Sequence, residues 1–390
     1  MRLLVGTLVF VSLLSSVSSE SSESSESSSP HPPPEDCSSM SVRLRAFRLK
    51  INCSFTTLKE KQLKEIQDST MVLVLPVLYL VAFCVGLPSN LLALWVLVFR
   101  TKRLPSTVLL INLTAADCLL LAALPFRIQY HFRGNDWRLG EVSCRVVMAL
   151  FYGNMYGSVL SLALVALDRY VALVHPFGAR TLRGQRTSLY MSAAVWAAVL
   201  AAMLPLLVSQ QTYRLDAPRI TTCHDALPEA EQQNFFLPYF ATLFAVGFLL
   251  PFAVVLFCHG AVLRTLLAGG RRYGHAARVT ALVLVVFVVC LLPSNVLLLM
   301  TYGSTDGDGM DGEDMYVPYT LSLALSTFNS VLDPFIFYFV SVEFREKTRG
   351  ALCCRPDNQR PSLGNVSYSS SSGQRSKVTV LTASRQSETA

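Results

Sequence analysis

The chain has 390 residues, of which 52% are hydrophobic and 15% charged, with a formal net charge of +7 and a mean hydropathy of +0.43. Soluble proteins carry about 25% charged residues, so this composition lacks the polar surface of a soluble multidomain enzyme, and it is too apolar for bulk disorder. Ten cysteines are too few for a disulfide scaffold, and no GxxxxGK[ST], HExxH or GxSxG motif supports an ordinary enzyme.

Residues 1–19 read as a secretory signal peptide. Arg2 supplies the positive start, Leu3 to Leu14 the apolar run, and Val17 and Ser19 the small residues before a cut near Glu20. The run is well short of the roughly 20 residues that span a bilayer. Residues 20–70 form an extracellular tail, because Ser/Glu repeats followed by a Pro-rich stretch cannot bury a core. Asn52-Cys53-Ser54 is an N-glycosylation acceptor in that compartment, with Asn52 as its site.

Seven apolar segments follow, at about 71–99, 106–130, 142–174, 188–209, 236–267, 278–302 and 317–340, each long enough for a membrane helix. The expected fold class is an all-α membrane protein. Its seven-transmembrane helix bundle covers 71–340, with disordered N- and C-terminal tails. Three loops carry Arg100, Lys102 and Arg103, then Arg180, Arg183 and Arg186, then Arg271, Arg272 and Arg278, without an acid. The loop with Asp306, Asp308, Asp311, Glu313 and Asp314 has no Lys or Arg. The basic loops belong inside, so the N-terminus is extracellular, in agreement with the signal peptide. The basic charge then faces anionic lipid and cytoplasmic partners rather than nucleic acid. Residues 341–354 make a short amphipathic eighth helix that ends in Cys353 and Cys354, both candidates for palmitoylation. Residues 355–390 are a Ser/Thr-rich cytoplasmic tail.

Particular residues carry a resemblance. Segment three ends in Asp168-Arg169-Tyr170, segment two holds Asp117 in Asn112-Leu113-Thr114-Ala115-Ala116-Asp117, and segment seven ends in Asp333-Pro334-Phe335-Ile336-Phe337. With Asn90, Trp196, Pro251 and Pro293, this resembles rhodopsin-class G protein-coupled receptors over nearly all of 71–354. Cys223-His224-Asp225-Ala226-Leu227-Pro228, Gly270 to Ala276 and Leu173-Val174-His175-Pro176 resemble the protease-activated receptors within that class. Phe337, His259 and Leu291 stand where the class usually has Tyr, Tyr and Trp.

The resemblance implies a receptor at the plasma membrane and not an enzyme, with no cofactor beyond an allosteric sodium ion. Buried ionisable groups in a membrane are functional by default, and Asp117 and Asp333 are two. The resemblance gathers them with Ser158 and Asn329 in a sodium pocket; a protonated, hydrogen-bonded pair is the alternative. It makes Asp168, Arg169 and Tyr170 the G protein switch, whereas spacing alone also admits a solvated surface pair. It implies a disulfide between Cys144 and Cys223, two outer-face residues in an oxidising compartment, against two free thiols.

The resemblance further implies that a protease cuts the tail and the new terminus becomes the agonist. Arg43, Arg45, Arg48 and Lys50 are basic residues in accessible tail, and Arg45 is the first choice. Cutting there begins the ligand at Ala46-Phe47-Arg48-Leu49. Ala46 lies 25 residues before Met71, about 85 Å extended or about 25–30 Å as a coil. Tethering supplies an effective concentration of order millimolar. Asp225 is expected to meet the new α-ammonium or Arg48, beside His224. Tyr302, Tyr316 and Tyr319 are expected to receive Phe47 by aromatic packing. The protease is expected to be an extracellular serine protease, thrombin or an equally suited trypsin-like enzyme, with Leu44 standing where thrombin favours Pro. Heterotrimeric G proteins, arrestin on the phosphorylated tail and membrane lipid are the other implied partners. A receptor for a soluble peptide is the competing function. The acidic loop around Asp306 to Asp314 lacks a calcium-ligand pattern and reads as solvated chain or as a landing site for a basic ligand.

Overall fold

A computed structural model describes residues 41–44, 47–52, 55–58, 68–102, 104–175, 184–216, 219–228, 232–270, 273–303 and 316–352. Seven helices are long and apolar enough to cross a membrane: α1 (Thr70–Phe99), α2 (Pro105–Phe132), α3 (Glu141–Val174), α4 (Gln185–Val208), α5 (Asn234–Ala268), α6 (Gly274–Gly303) and α7 (Tyr316–Val340). The largest departure from the expected ends is at α6, which begins at Gly274 rather than 278. Its first turn, Gly274-His275-Ala276-Ala277, needs no apolar run because it emerges from the lipid. A short α8 (Val342–Leu352) follows; its Phe344 is buried against Phe337, ring centroids 6.3 Å apart.

The helices turn apolar side chains outward as well as inward. Phe99, Tyr190, Val208, Phe257 and Leu267 are all exposed, a surface that is stable only against lipid. α3 is the central element and packs on α2, α4 and α5. Its buried face repeats every three or four residues through Cys144, Met148, Phe151, Tyr152, Met155 and Val159, as one side of a helix requires. Six spans contain at least one proline, such as Pro88, Pro125, Pro205, Pro251, Pro293 and Pro334. Proline is tolerated in membrane helices because neighbouring groups satisfy the freed carbonyl.

Interhelical contacts are close and locally polar. A Cβ on Gly86 would lie 2.9 Å from Leu121 Cδ2 and 3.1 Å from Val331 Cγ2, so only glycine lets α1, α2 and α7 meet there. One turn on, Asn90 Nδ2 donates to the Gly86 and Ser330 carbonyls at 3.0 and 2.8 Å. Trp196 Nε1 donates to Asn112 Oδ1 at 3.2 Å and ties α4 to α2.

Among the described residues, six short strands lie outside the bundle. β4 (Thr212–Asp216) and β5 (Arg219–Cys223) form an antiparallel hairpin in the second external loop. β6 (Ala226–Pro228) follows it. The tail supplies β1 (Ser41–Leu44), β2 (Phe47–Asn52) and β3 (Phe55–Leu58), which join β6 in a sheet of order β3-β2-β1-β6. The sequence reading assigns no strands to this tail. Phe47, Leu49 and Ile51 do alternate with polar residues, but strands so short need partners to persist, and the external loop provides one. Arg45, Ala46, Cys37, Cys53, Cys353, Cys354 and the acidic loop at 306–314 lie outside the described residues.

Candidate functional site

The outer mouth is built on the first turn of α3. Cys144 is joined by a disulfide to Cys223 at the end of β5, with a Cα–Cα distance of 5.8 Å. One turn earlier, the Glu141 carboxylate accepts the Gln211 and Thr212 backbone N–H groups at 2.7 and 2.8 Å, and also the Thr212 hydroxyl. Arg145 Nε donates to the same carboxylate at 2.6 Å. The other strand is held from the α2–α3 turn: Asp136 Oδ1 accepts from Thr221 N at 3.0 Å, and Trp137 N donates to Thr221 O at 2.7 Å. That turn is shaped by positive φ at Gly134, Asn135 and Gly140, backbone geometry that Gly and Asn adopt most readily. The hairpin is thus fixed through both strands.

The next two residues point into the bundle. His224 takes φ +66° and is fully buried. Its Nδ1 bonds Gln211 Oε1, and its Nε2 lies 3.4 Å from the Tyr152 hydroxyl. That hydroxyl is 3.2 Å from the Tyr319 hydroxyl. Phe236 and Phe240 of the α5 entry complete the wall around the imidazole, with ring centroids at 6.0 and 6.2 Å. Asp225, also buried, turns the other way: its Oδ2 accepts from Tyr130 OH at 2.5 Å. The Arg127 guanidinium lies over Tyr130 and Phe151 at 5.3 and 5.6 Å. A disulfide-anchored loop therefore places an imidazole against α3 and α5, one hydroxyl removed from α7, and a carboxylate against α2.

Midway down, Asp117 is fully buried; Ser330 Oγ donates to its Oδ1 at 2.7 Å and Asn154 Nδ2 at 3.3 Å. Asp117 and Asp333 are close enough for their charges to interact. The two carboxyls also lie within hydrogen-bonding reach of each other, as a shared proton would allow, and Ser158 Oγ and Asn329 Nδ2 are buried without a hydrogen-bond partner. Buried polar atoms left unpaired in this way are costly in lipid. The oxygens of Asp117, Ser158 and Asp333 suit a hard cation, which takes oxygen ligands; Asn329 presents an N–H donor there. Among the described residues, no group of three or more His, Cys, Asp or Glu gathers that could hold a metal ion.

At the inner end of α3, Tyr170 OH is 3.0 Å from His175 Nε2, and its ring packs on Phe257 with centroids 5.6 Å apart. Asp168 and Arg169 are half-buried. His259 on α5 is buried, near enough to Arg169 to feel its charge, and its Nδ1 has no hydrogen-bond partner. Arg349 Nε donates to Tyr338 OH at 2.9 Å, tying α8 to α7.

The family model for seven-transmembrane receptors of the rhodopsin family matches residues 89–337. Proteinase-activated receptor 4 from Homo sapiens is 51% identical over 296 residues, covering 74% of this chain and 76% of that protein. The Mus musculus proteinase-activated receptor 4 is 50% identical over 282 residues, covering 72% and 71%. This chain is a proteinase-activated receptor. The more distant Homo sapiens proteinase-activated receptor 3, 40% identical over 299 residues with 75% and 79% coverage, supports the same assignment. It is a receptor of the rhodopsin family rather than an enzyme, and a multi-pass protein of the plasma membrane.

In this proteinase-activated receptor the structure brings some of the residues singled out from sequence together and keeps others apart. Cys144 and Cys223 are bonded to each other; Asp117 and Asp333 lie beside each other, and Ser158 and Asn329 each bury an unpartnered polar atom. His224 and Tyr319 share a neighbour, Tyr152, whereas Asp225 faces a separate wall. Only the backbone is described for Phe47, Arg48, Leu49 and Asn52 in β2, for Tyr302 in α6 and for Tyr316 in α7. Sequence reasoning missed Glu141, Gln211, Tyr130, Tyr152, Asn154 and Ser330. Helical spacing was the available signal for three of them. Tyr152 lies two turns below Cys144, Asn154 one turn above Ser158, and Ser330 one turn above Asp333. Phe337, where the class has Tyr, packs on Phe344, so an apolar ring suits that position.

Proposed function

We propose that a trypsin-like serine protease switches this receptor on by cutting its tail after Arg45. Ala46-Phe47-Arg48-Leu49 is then the tethered agonist. The observation that carries this reading is the loop at Cys223-His224-Asp225. A covalent anchor and the Glu141 clamp hold an imidazole and a carboxylate rigidly at the mouth of the bundle. A new α-ammonium arriving there needs an acid, and the Asp225 carboxylate has about four acceptor directions, of which Tyr130 uses one. Phe47 is received by the aromatic wall of Tyr152, Tyr319, Phe236 and Phe240, with Tyr302 and Tyr316 as the further candidates. His224 and Tyr319 share Tyr152, so ligand contact on the loop side is passed to α3 and α7.

Arg169, held at rest by Asp168, is released toward a heterotrimeric G protein, with calcium and phosphoinositide signalling as the readout. Tyr170 stays anchored on His175 and Phe257. Arrestin reads the phosphorylated tail beyond residue 355, and α8 with palmitoylated Cys353 and Cys354 lies on the inner leaflet. A sodium ion would be held by Asp117, Ser158 and Asp333, neutralising carboxylates that otherwise repel. Asn52 carries the glycan.

N-terminal sequencing of the receptor after protease exposure, with calcium signalling recorded in parallel, tests the reading. The expected result is a new terminus at Ala46, loss of the protease response in Arg45→Ala, and retained activation by a free-amine Ala-Phe-Arg-Leu-Lys peptide. A protease response surviving in Arg45→Ala moves the cut to Arg43, Arg48 or Lys50. Signalling by a soluble peptide with no protease able to trigger it establishes the competing function.

A further inference from the structure

The middle of the antiparallel sheet formed by tail and loop is occupied by the tail. β1 pairs with β2 from Ser41↔Lys50 to Leu44↔Phe47, and on its opposite side with β6 from Val42↔Pro228 to Leu44↔Ala226. β6 begins directly after Asp225, within three residues of the disulfide at Cys223. The far strand of the tail, β3, lies alongside β4 of the loop hairpin. The loop edge that receives the tail is therefore continuous with the segment anchored to α3.

We propose that β6 is a docking strand for the uncut tail, and that β1 must leave it before a protease can cut. This rests on the reading of the tail as a protease substrate with its cut at Arg45. A serine protease holds the residues ahead of the scissile bond as an extended strand, through backbone hydrogen bonds to its own edge, a form of strand addition. Arg43 and Leu44 are those residues. In an antiparallel ladder, successive residues direct their N–H and C=O groups to opposite sides. Both sides of β1 are taken, one by β2 and one by β6. No edge of β1 remains for the enzyme, so the docked tail resists cutting and the opened tail is the substrate. When opening is fast, cleavage follows the open population, and short terminal ladders open locally at a small free-energy cost.

The test uses the full-length receptor with Cys37→Ser and Cys53→Ser as background. Val42→Cys and Pro228→Cys are added, two positions that face each other across β1 and β6. Link formation is read by mass spectrometry of the disulfide-joined peptides. Tail cutting by trypsin at fixed concentration is read on reducing gels after quenching, so that signalling plays no part. The linked receptor is expected to be cut about tenfold more slowly than the same receptor reduced, equivalent to about 1.4 kcal/mol in the opening equilibrium. Leu227→Pro, which takes a backbone N–H out of β6 and restricts its central residue, is expected to be cut several-fold faster than the parent. Failure of the two cysteines to link, when each single variant reaches the cell surface, overturns the docking. So does a linked tail cut at the reduced rate, or an unchanged rate in Leu227→Pro. A parent tail that no trypsin-like protease cuts removes the substrate reading, and this inference falls with it; the other outcomes overturn the docking alone.

Discussion

Replacing Glu141 with Ala should loosen the second external loop without breaking its disulfide. The carboxylate accepts two backbone N–H groups at the start of β4, one hydroxyl and the Arg145 guanidinium. Hydrogen bonds to a charged group contribute about 1.5–3 kcal/mol each when buried. The Glu141 side chain is 26% exposed, so water recovers part of the loss when the acceptor is removed. A net cost of about 2 kcal/mol for the first turn of the hairpin is expected, which is about 30-fold in a local opening equilibrium. Hydrogen exchange of the purified receptor, followed on a peptide spanning 207–216, reads that equilibrium through the Gln211 and Thr212 amides. Glu141→Ala should speed their exchange about 30-fold, and Glu141→Gln, which keeps one acceptor oxygen, by less. Amides near Thr221, held by Asp136 and Trp137, should change little. Unchanged protection at Gln211 and Thr212 in Glu141→Ala would refute the clamp.

Three further outcomes follow from the same geometry. Cys144→Ser or Cys223→Ser should lower surface receptor and abolish signalling, measured by antibody staining and calcium release, because the loop loses its covalent anchor; full signalling from both variants counts against an essential bridge. Asp117→Asn or Asp333→Asn should flatten the dependence of agonist potency on sodium, and a parent receptor indifferent to sodium would instead support a protonated pair. Gly86→Val should cost about 1–3 kcal/mol through overpacking, since even a Cβ would lie 2.9 Å from Leu121 Cδ2; a thermal melt of detergent-solubilised receptor that matches the parent would contradict the close α1–α2 contact.

The helices were legible in the sequence because lipid imposes a local rule. A run such as 71–99 must be apolar throughout, and basic residues such as Arg100 and Arg103 mark its inner end. Asp117 and Asp333 were legible for the converse reason: a carboxylate inside such a run must have a purpose. Ser330 and Asn154 are uncharged and common in helices, and only the fold shows both donating to Asp117. Glu141 looked like an ordinary acid at a helix start, because its partners, Gln211 and Thr212, are 70 and 71 residues away. The tail strands depend on β6, far along the chain, and strand pairing of that kind leaves only a weak alternation behind. Burial of Asp225 against Tyr130 likewise follows from the anchored loop and not from any local signal.

Among the seven spans, α3 alone has no proline between its ends, Glu141 and Val174. Its 34 residues make a rod about 51 Å long at the usual helical rise. One tip is welded to the external loop through Cys144 and the other bears Arg169. The remaining spans each hold a point where bending is easiest, at residues such as Pro205, Pro251, Pro293 and Pro334. A load applied at the mouth therefore meets one unjointed shaft surrounded by jointed members. The shaft serves as the frame of reference, and bending on activation is expected in the jointed helices rather than in α3.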